Sequence, residues 1–416
     1  MFGQLLIKEC KQTFKSLIYW LIVLVLLFDF ATQLGGDTEI RKEPQKGESG
    51  YGYRSSDDPT LIMKATLGSL VEQFAYDRFV TYPIGFYKHV TLNGKEEKQI
   101  EEILQKTTGL SGRAEAEQAV SDWYEAQNTA PGPDGAIMPA KSMEIAPAPD
   151  LTYDRFSAYM DEVDSILGGG SSYAKDAREH SASVPMTYEE AMEEYRELTE
   201  QDRLTGGYAR LFSDYMGIFL GVLPVFLAVT RALRDKRAGM QDLIYTRKGS
   251  SFAIIASRYT AMLVMLVLPL LALSLLPLSD CLRYASSAGI SADPFAYVKY
   301  IFGWLLPTIM TAAAVGMFLT ELTDTALAIL IQGAWWFVSV FTGALHGGAY
   351  GWNLIPRHNT VMNWSGYHDH FSQLAANRIL YVFLSVILVV LTVLIYQQKR
   401  KGRYRLSWNL SGRLKK

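Results

Sequence analysis

Six apolar runs constrain what this chain can fold into. They lie near residues 17–35, 210–232, 254–278, 295–319, 325–345 and 378–396, and several run 15 or more residues without a charge. A helix needs about 20 mostly apolar residues to cross about 30 Å of hydrocarbon. One such run could be a buried core helix; six predict an all-α polytopic membrane protein with six transmembrane helices. The first run follows Lys8, Lys11 and Lys15 but has no small-residue cleavage site, so it is read as an anchor, not a signal peptide.

Composition matters here because it is segregated. Residues 36–205 hold 32 Asp/Glu against 17 Lys/Arg, whereas the rest of the chain holds 10 against 23. Basic residues gather at the N-terminus, in the loop 231–248 (Arg231, Arg234, Lys236, Arg237, Arg247, Lys248) and in the tail after the last run, "QQKRKGRYRLSWNLSGRLKK". Lys/Arg near span ends stay in the cytoplasm, so both termini are expected inside (N-in/C-in). The acidic region and the loops 279–294 and 346–376 are expected outside. This predicts three parts: an N-terminal amphipathic segment and first span (1–35), an extracytoplasmic domain (36–207), and spans two to six (208–416). The last part includes the loop 231–251 and a cytoplasmic tail (397–416). Location in a bacterial plasma membrane follows as the expectation.

The outer region reads as mostly helical. Ile100, Ile103 and Leu104 share a helix face that Gly109 ends, and Tyr153, Phe156, Met160, Val163 and Leu167 recur at helical spacing before Gly168. Thr187 and Glu190 form a capping-box pattern. The stretches 36–58 and 128–150 read as loose connections, from their Gly, Pro and polar content. The two cysteines, Cys10 and Cys281, are too far apart for a disulfide framework.

Chemistry is sparse. No GxxxxGK[ST] phosphate loop, HExxH or GxSxG occurs. Four of the six histidines, His346, His358, His368 and His370, fall in the loop 346–376. His368 and His370, two apart, could share a metal on a strand; a polar re-entrant or capping loop explains them equally, and no metal is assigned. Asp29 and Arg258 are the ionisable residues closest to span interiors, and an intramembrane charge is a functional candidate by default. Gly217 and Gly221 have GxxxG spacing for close helix packing, and Pro224 follows as a kink. Nothing points to nucleic acid.

The loop "RALRDKRAGMQDLIYTRKGSS", Arg231–Ser251, places Leu233, Met240, Leu243 and Ile244 on one helical face. Such a face suits either the lipid headgroups or a groove on a partner protein. The run resembles the segment after the second span in ABC-2 type permeases, the membrane subunits of ABC exporters. Asp235, Gly239, Asp242 and Ile244 match that family's acidic, glycine, acidic and aliphatic positions; Asp235 stands where Glu is usual, and the following Pro is absent. The resemblance implies a coupling helix, with Asp235, Arg237, Gly239, Met240, Asp242, Leu243 and Ile244 contacting a separate ATPase subunit. It also implies a second permease copy or a related permease as dimer partner. ATP and Mg would be bound by the partner ATPase, with no cofactor in this chain. The expectation is thus a transporter subunit, not an enzyme, exporting an unidentified substrate. The alternative is a membrane sensor or scaffold binding an extracellular ligand through 36–207. A polytopic enzyme using the histidine loop is the third class.

Overall fold

The computed structural model describes residues 2–35, 40–48, 50–83, 87–128, 142–246, 249–341 and 350–403, without the side chains of Gln127, Asn128 and Asp242. His346, Arg247, Lys248, most of the expected linker 128–150 and the tail beyond 403 lie outside them. The described chain divides into two units, residues 1–42 with 193–416, and residues 43–192.

The chain opens on α1 (Phe2–Phe14), breaks at Lys15-Ser16 and turns 68° into α2 (Leu17–Gln33). The 43–192 unit follows, with β1 (Tyr53–Ser55), α3 (Pro59–Tyr76), β2 (Phe79–Thr81) and β3 (Lys88–Val90). Then come α4 (Gly94–Thr108), α5 (Gly112–Asn128), α6 (Tyr153–Leu167), α7 (Lys175–Arg178) and β4 (Ser183–Pro185). β1 pairs antiparallel with β4, and β2 with β3. This unit is therefore helical with two short two-stranded ribbons, not purely α.

Its core is one cluster. α3 contributes Leu67, Leu70, Val71 and Phe74; α4 contributes Ile100, Ile103 and Leu104; α6 contributes Phe156, Met160 and Val163. The caps follow from local chemistry. Asn93 and Glu96 form a capping box at α4, and Thr187 and Glu190 exchange the equivalent bonds before α8 (Tyr188–Arg196). Gly109 and Gly168 close α4 and α6 in the left-handed region. Residues 142–150 are not a loose linker. Met143 is buried, Ile145 N–H donates to Lys64 O, and Ala148 N–H donates to Thr107 O. A Cβ at Gly68 would collide with the Met143 carbonyl, so a bare helix surface lets this segment lie flat on α3.

The chain re-enters the other unit along α8 and a π turn, Glu197–Gln201. α9 (Thr205–Leu220) and α10 (Leu223–Arg237) follow with a 44° bend between them. Pro224 sits in the first turn of α10, where its missing N–H costs nothing, so it marks the break without kinking a continuous helix. After α11 (Gln241–Tyr245), α12 (Ser251–Ala288) runs 38 residues. At 1.5 Å per residue that is about 57 Å, well beyond a hydrocarbon core. Most of the expected loop 279–294 is therefore helix. α13 (Ala296–Tyr300), a π turn (Ile301–Leu305) and α14 (Leu306–Thr323) form one 28-residue rod; α15 (Leu327–Ser339), α16 (Trp364–Asp369) and α17 (Phe371–Arg400) complete the unit.

Three helices are long and apolar enough to cross a membrane, or up to five if each bent pair is one span. Six full spans are not all present among the described residues. Of the run expected at 325–345, residues 327–339 form α15, about 20 Å long, a π turn follows at 340–341, and the rest lies outside the described residues. Beyond the undescribed 342–349, the chain returns as an extended segment, 350–363, whose Leu354, Ile355, Arg357 and His358 are buried in the helices.

The GxxxG pair serves that segment. A Cβ at Gly217 would meet Leu305 and Ile355, and one at Gly221 would stand 2.5 Å from Ile355 Cδ1 and 3.0 Å from Trp336 Cδ1. Gly217 and Gly221 thus form a notch mainly for Ile355, a packing role within this unit. A close helix crossing lies elsewhere: a Cβ at Gly316 of α14 would be 2.7 Å from Ala228 Cβ of α10.

Candidate functional site

One end of the 193–416 unit carries an ionic lattice built from the segments that sequence analysis grouped by charge. α1 is amphipathic, yet its buried side chains are Glu9 and Thr13. The Glu9 carboxylate is 7% exposed and accepts from Arg231 of α10, with Arg234 at 3.5 Å and Arg258 of α12 at 3.6 Å. Gln12 adds a carbonyl oxygen that takes bonds from Arg231 and Arg234. Asp235 pairs with Arg258 and, at 3.2 Å, with Arg234. Three guanidiniums therefore share two carboxylates from three helices, most of them withdrawn from water. Such charges are tolerated only when paired and hydrogen-bonded.

A second group adjoins the first. Lys399 of α17 pairs with Glu321 at 3.2 Å and Asp324 at 2.8 Å, and Asp324 also meets Lys236 at 4.0 Å. Arg400 donates to the Tyr245 carbonyl at 3.0 Å and the Gly249 carbonyl at 2.6 Å. Tyr396 packs edge-on against Tyr245. A cavity of about 10 Å³, room for about one water, lies between Asp235, Ile244, Tyr245, Arg258 and Glu321.

Between these anchors the chain makes a protruding turn. α10 ends in a Schellman-type closure, with Met240 N–H donating to Asp235 O and Gly239 at φ +63°. Only glycine adopts that conformation without strain. The turn divides the helix expected over 231–251. Leu233 faces inward with Val225, Val229 and Ala328, so it does not share a face with the rest. Met240 and Leu243 are 46% and 58% exposed, Ile244 is half-buried against the cavity, and Arg237 is exposed. Asp235 is an internal ion-pair member, not a free surface group. The Asp242 side chain lies outside the described residues.

The histidines do not assemble. His368 and His370 lie at the end of the short α16, not on a strand; His368 stacks on Trp364 and His370 stacks on Tyr350. Among the described residues no group of three His, Cys, Asp or Glu side chains could hold a metal. His358 is structural: its Nε2 bonds the Met362 carbonyl at 2.9 Å, and its Nδ1 bonds the Tyr350 hydroxyl.

Sequence reading missed Glu9, Gln12, Glu321, Asp324, Lys399 and Arg400. The available signal was a lone acid among the apolar and basic residues of an N-terminal helix, and acids at the short turn after α14. Comparison with family models, with curated proteins and with solved structures returns no match.

Proposed function

We propose that this chain is the membrane-spanning permease subunit of an ATP-driven exporter, with ATP hydrolysed by a separate subunit docked on the Met240–Leu243 turn. The observation that carries the reading is the contrast within residues 235–250. Met240 and Leu243 are exposed, while the flanks are bound to α12, α14 and α17 through Asp235, Lys236 and Arg400. An exposed apolar pair on a rigidly backed turn suits a partner's groove. Force applied there would pass into α12 through the buried Asp235–Arg258 pair, and toward α14 and α17 through the Lys236–Asp324 contact and the Arg400 hydrogen bonds.

On this reading the lattice end faces the cytoplasm, the 43–192 unit lies outside, and α15 with the segment after it replaces a simple fifth span. ATP and Mg belong to the partner, and the working unit contains two permease chains. The lack of a phosphate loop in the sequence fits this division of labour.

The test is substitution at the turn. Met240→Asp with Leu243→Asp changes exposed positions only, so expression and unfolding midpoint should stay unchanged. Co-purification of an ATPase subunit should fall at least tenfold. An ATPase that still co-purifies and still responds to the permease would rule the reading out. Capture of a kinase in its place would favour the sensor reading.

A further inference from the structure

α1 has two faces. Its inner side, packed along α12, carries Glu9 and Gln12 of the lattice and the buried Thr13. Its outer side is exposed: Ile7 is 59% exposed and Phe14 53%, and Lys8 and Lys11 are exposed beside them. At about 100° per residue, Ile7 and Phe14 fall about 20° apart, with Lys11 and Lys8 about 40° and 100° to one side of Ile7. Lys15, also exposed, continues that basic border at the break before α2. Glu9 is the only acid in the first 28 residues, and it is already shared by Arg231, Arg234 and Arg258. The outer side is therefore an apolar stripe with a basic border and no acid of its own.

The chain around the bend says what covers this side. Beyond Phe14, the exposed Leu17, Leu21, Leu24 and Phe28 share one face of α2. α2 has 17 residues, enough to cross a bilayer, so this face meets hydrocarbon and the stripe on α1 runs into it. α1 meets α2 at 68°, so with α2 along the bilayer normal α1 lies about 22° from the membrane plane. At the bend, Trp20 packs edge-on against Phe14 at 5.1 Å and its indole N–H donates to the Phe14 carbonyl at 2.8 Å. Trp is the residue that favours the boundary between headgroups and acyl chains.

We propose that the outer face of α1 binds anionic phospholipid headgroups, with Ile7 and Phe14 at the acyl boundary and Lys8, Lys11 and Lys15 on the phosphates. A helix lying in the interface is held by its buried apolar area and by anionic charge together. Lipid, not a soluble partner, is the occupant, because the stripe is continuous with the hydrocarbon-facing side of α2. Glu9 and the lysines share one helix, so lipid bound on its outer side steadies the lattice on its inner side. This surface requires only that α2 crosses the bilayer, not the exporter reading.

Hydrogen exchange of the full chain in nanodiscs tests it, with phosphatidylcholine alone or mixed with phosphatidylglycerol as the probe. Amides of residues 4–14 should exchange at least about fivefold more slowly in the mixed discs, the effect of a single lysine held at an anionic surface. High salt should remove the difference. Lys8→Gln, Lys11→Gln and Lys15→Gln together should abolish it, and Arg at the same three positions should keep it. All three positions are exposed, so the unfolding midpoint in neutral detergent should not change; where the glutamine variant does not fold, the salt and arginine arms decide. Equal exchange in both kinds of disc overturns the proposal, whether α1 then lies in a neutral interface or completes a broken span with α2. So does a difference that survives in the glutamine variant, or one that glycerol phosphate added to phosphatidylcholine discs reproduces.

Discussion

Arg378→Ala should destabilise the 193–416 unit by about 3–5 kcal/mol, read as a lowered unfolding midpoint of the purified protein. Arg378 lies on α17, almost wholly buried, and among the described residues no carboxylate is within ion-pair distance. It donates instead to the Trp304 carbonyl at 3.0 Å, Thr308 Oγ1 at 2.8 Å, the Leu354 carbonyl at 3.3 Å and Asn377 Oδ1. These partners join the π turn, α14 and the returning segment to α17. Each buried acceptor left unpaired costs about 1–3 kcal/mol. Arg378→Met keeps much of the volume without the donors, so its loss measures the hydrogen bonds alone. Proteolysis within 350–363 should accelerate before global unfolding does. A variant with unchanged midpoint and unchanged cleavage would show that the segment is held by packing, with Ile355 in the Gly217–Gly221 notch as the main anchor.

Glu9→Ala should cost a similar amount, about 3–5 kcal/mol, because it leaves Arg231 and Arg258 buried with too few counter-charges. The mechanism makes a distinctive prediction. Adding Arg231→Met to Glu9→Ala should recover stability, since an apolar replacement of a buried charge is often neutral or better. A double variant as unstable as the sum of the singles would place the damage in α1 packing, not in electrostatics. Backbone amides of 238–246 should exchange faster in Glu9→Ala, since α1 then no longer braces α10 and α12 on either side of the turn.

Much of the architecture is legible in the linear chain. Apolar runs become helices because backbone groups in lipid have no other way to satisfy their hydrogen bonds. The acidic stretch folds as its own unit because its apolar residues recur at helical spacing: Ile100, Ile103 and Leu104 meet Phe156, Met160 and Val163 as their periodicity requires. Caps at Gly109, Gly168 and Thr187 are local chemistry and were readable. The turn at Gly239 was not. A helical wheel over 231–251 puts Leu233 with Met240 and Leu243, but a single left-handed residue rotates everything after it out of phase.

The candidate site divides the same way. Arg231, Arg234, Asp235 and Arg258 were visible as charges, but Arg231 pairs with Glu9, 222 positions away, and Lys399 pairs with Glu321, 78 positions away. Pairing across such separations carries no local signature. By itself, the sequence determined where most helices form, which stretch is acidic and separately folded, and which loop is basic and carries apolar side chains. These follow from periodicity, hydrophobicity and capping, which act over a few residues. The tertiary structure alone decided which charges are buried in pairs and that 350–363 returns among the helices. The free energy of a buried charge depends on what the fold brings within a few ångströms of it, wherever in the chain that partner lies.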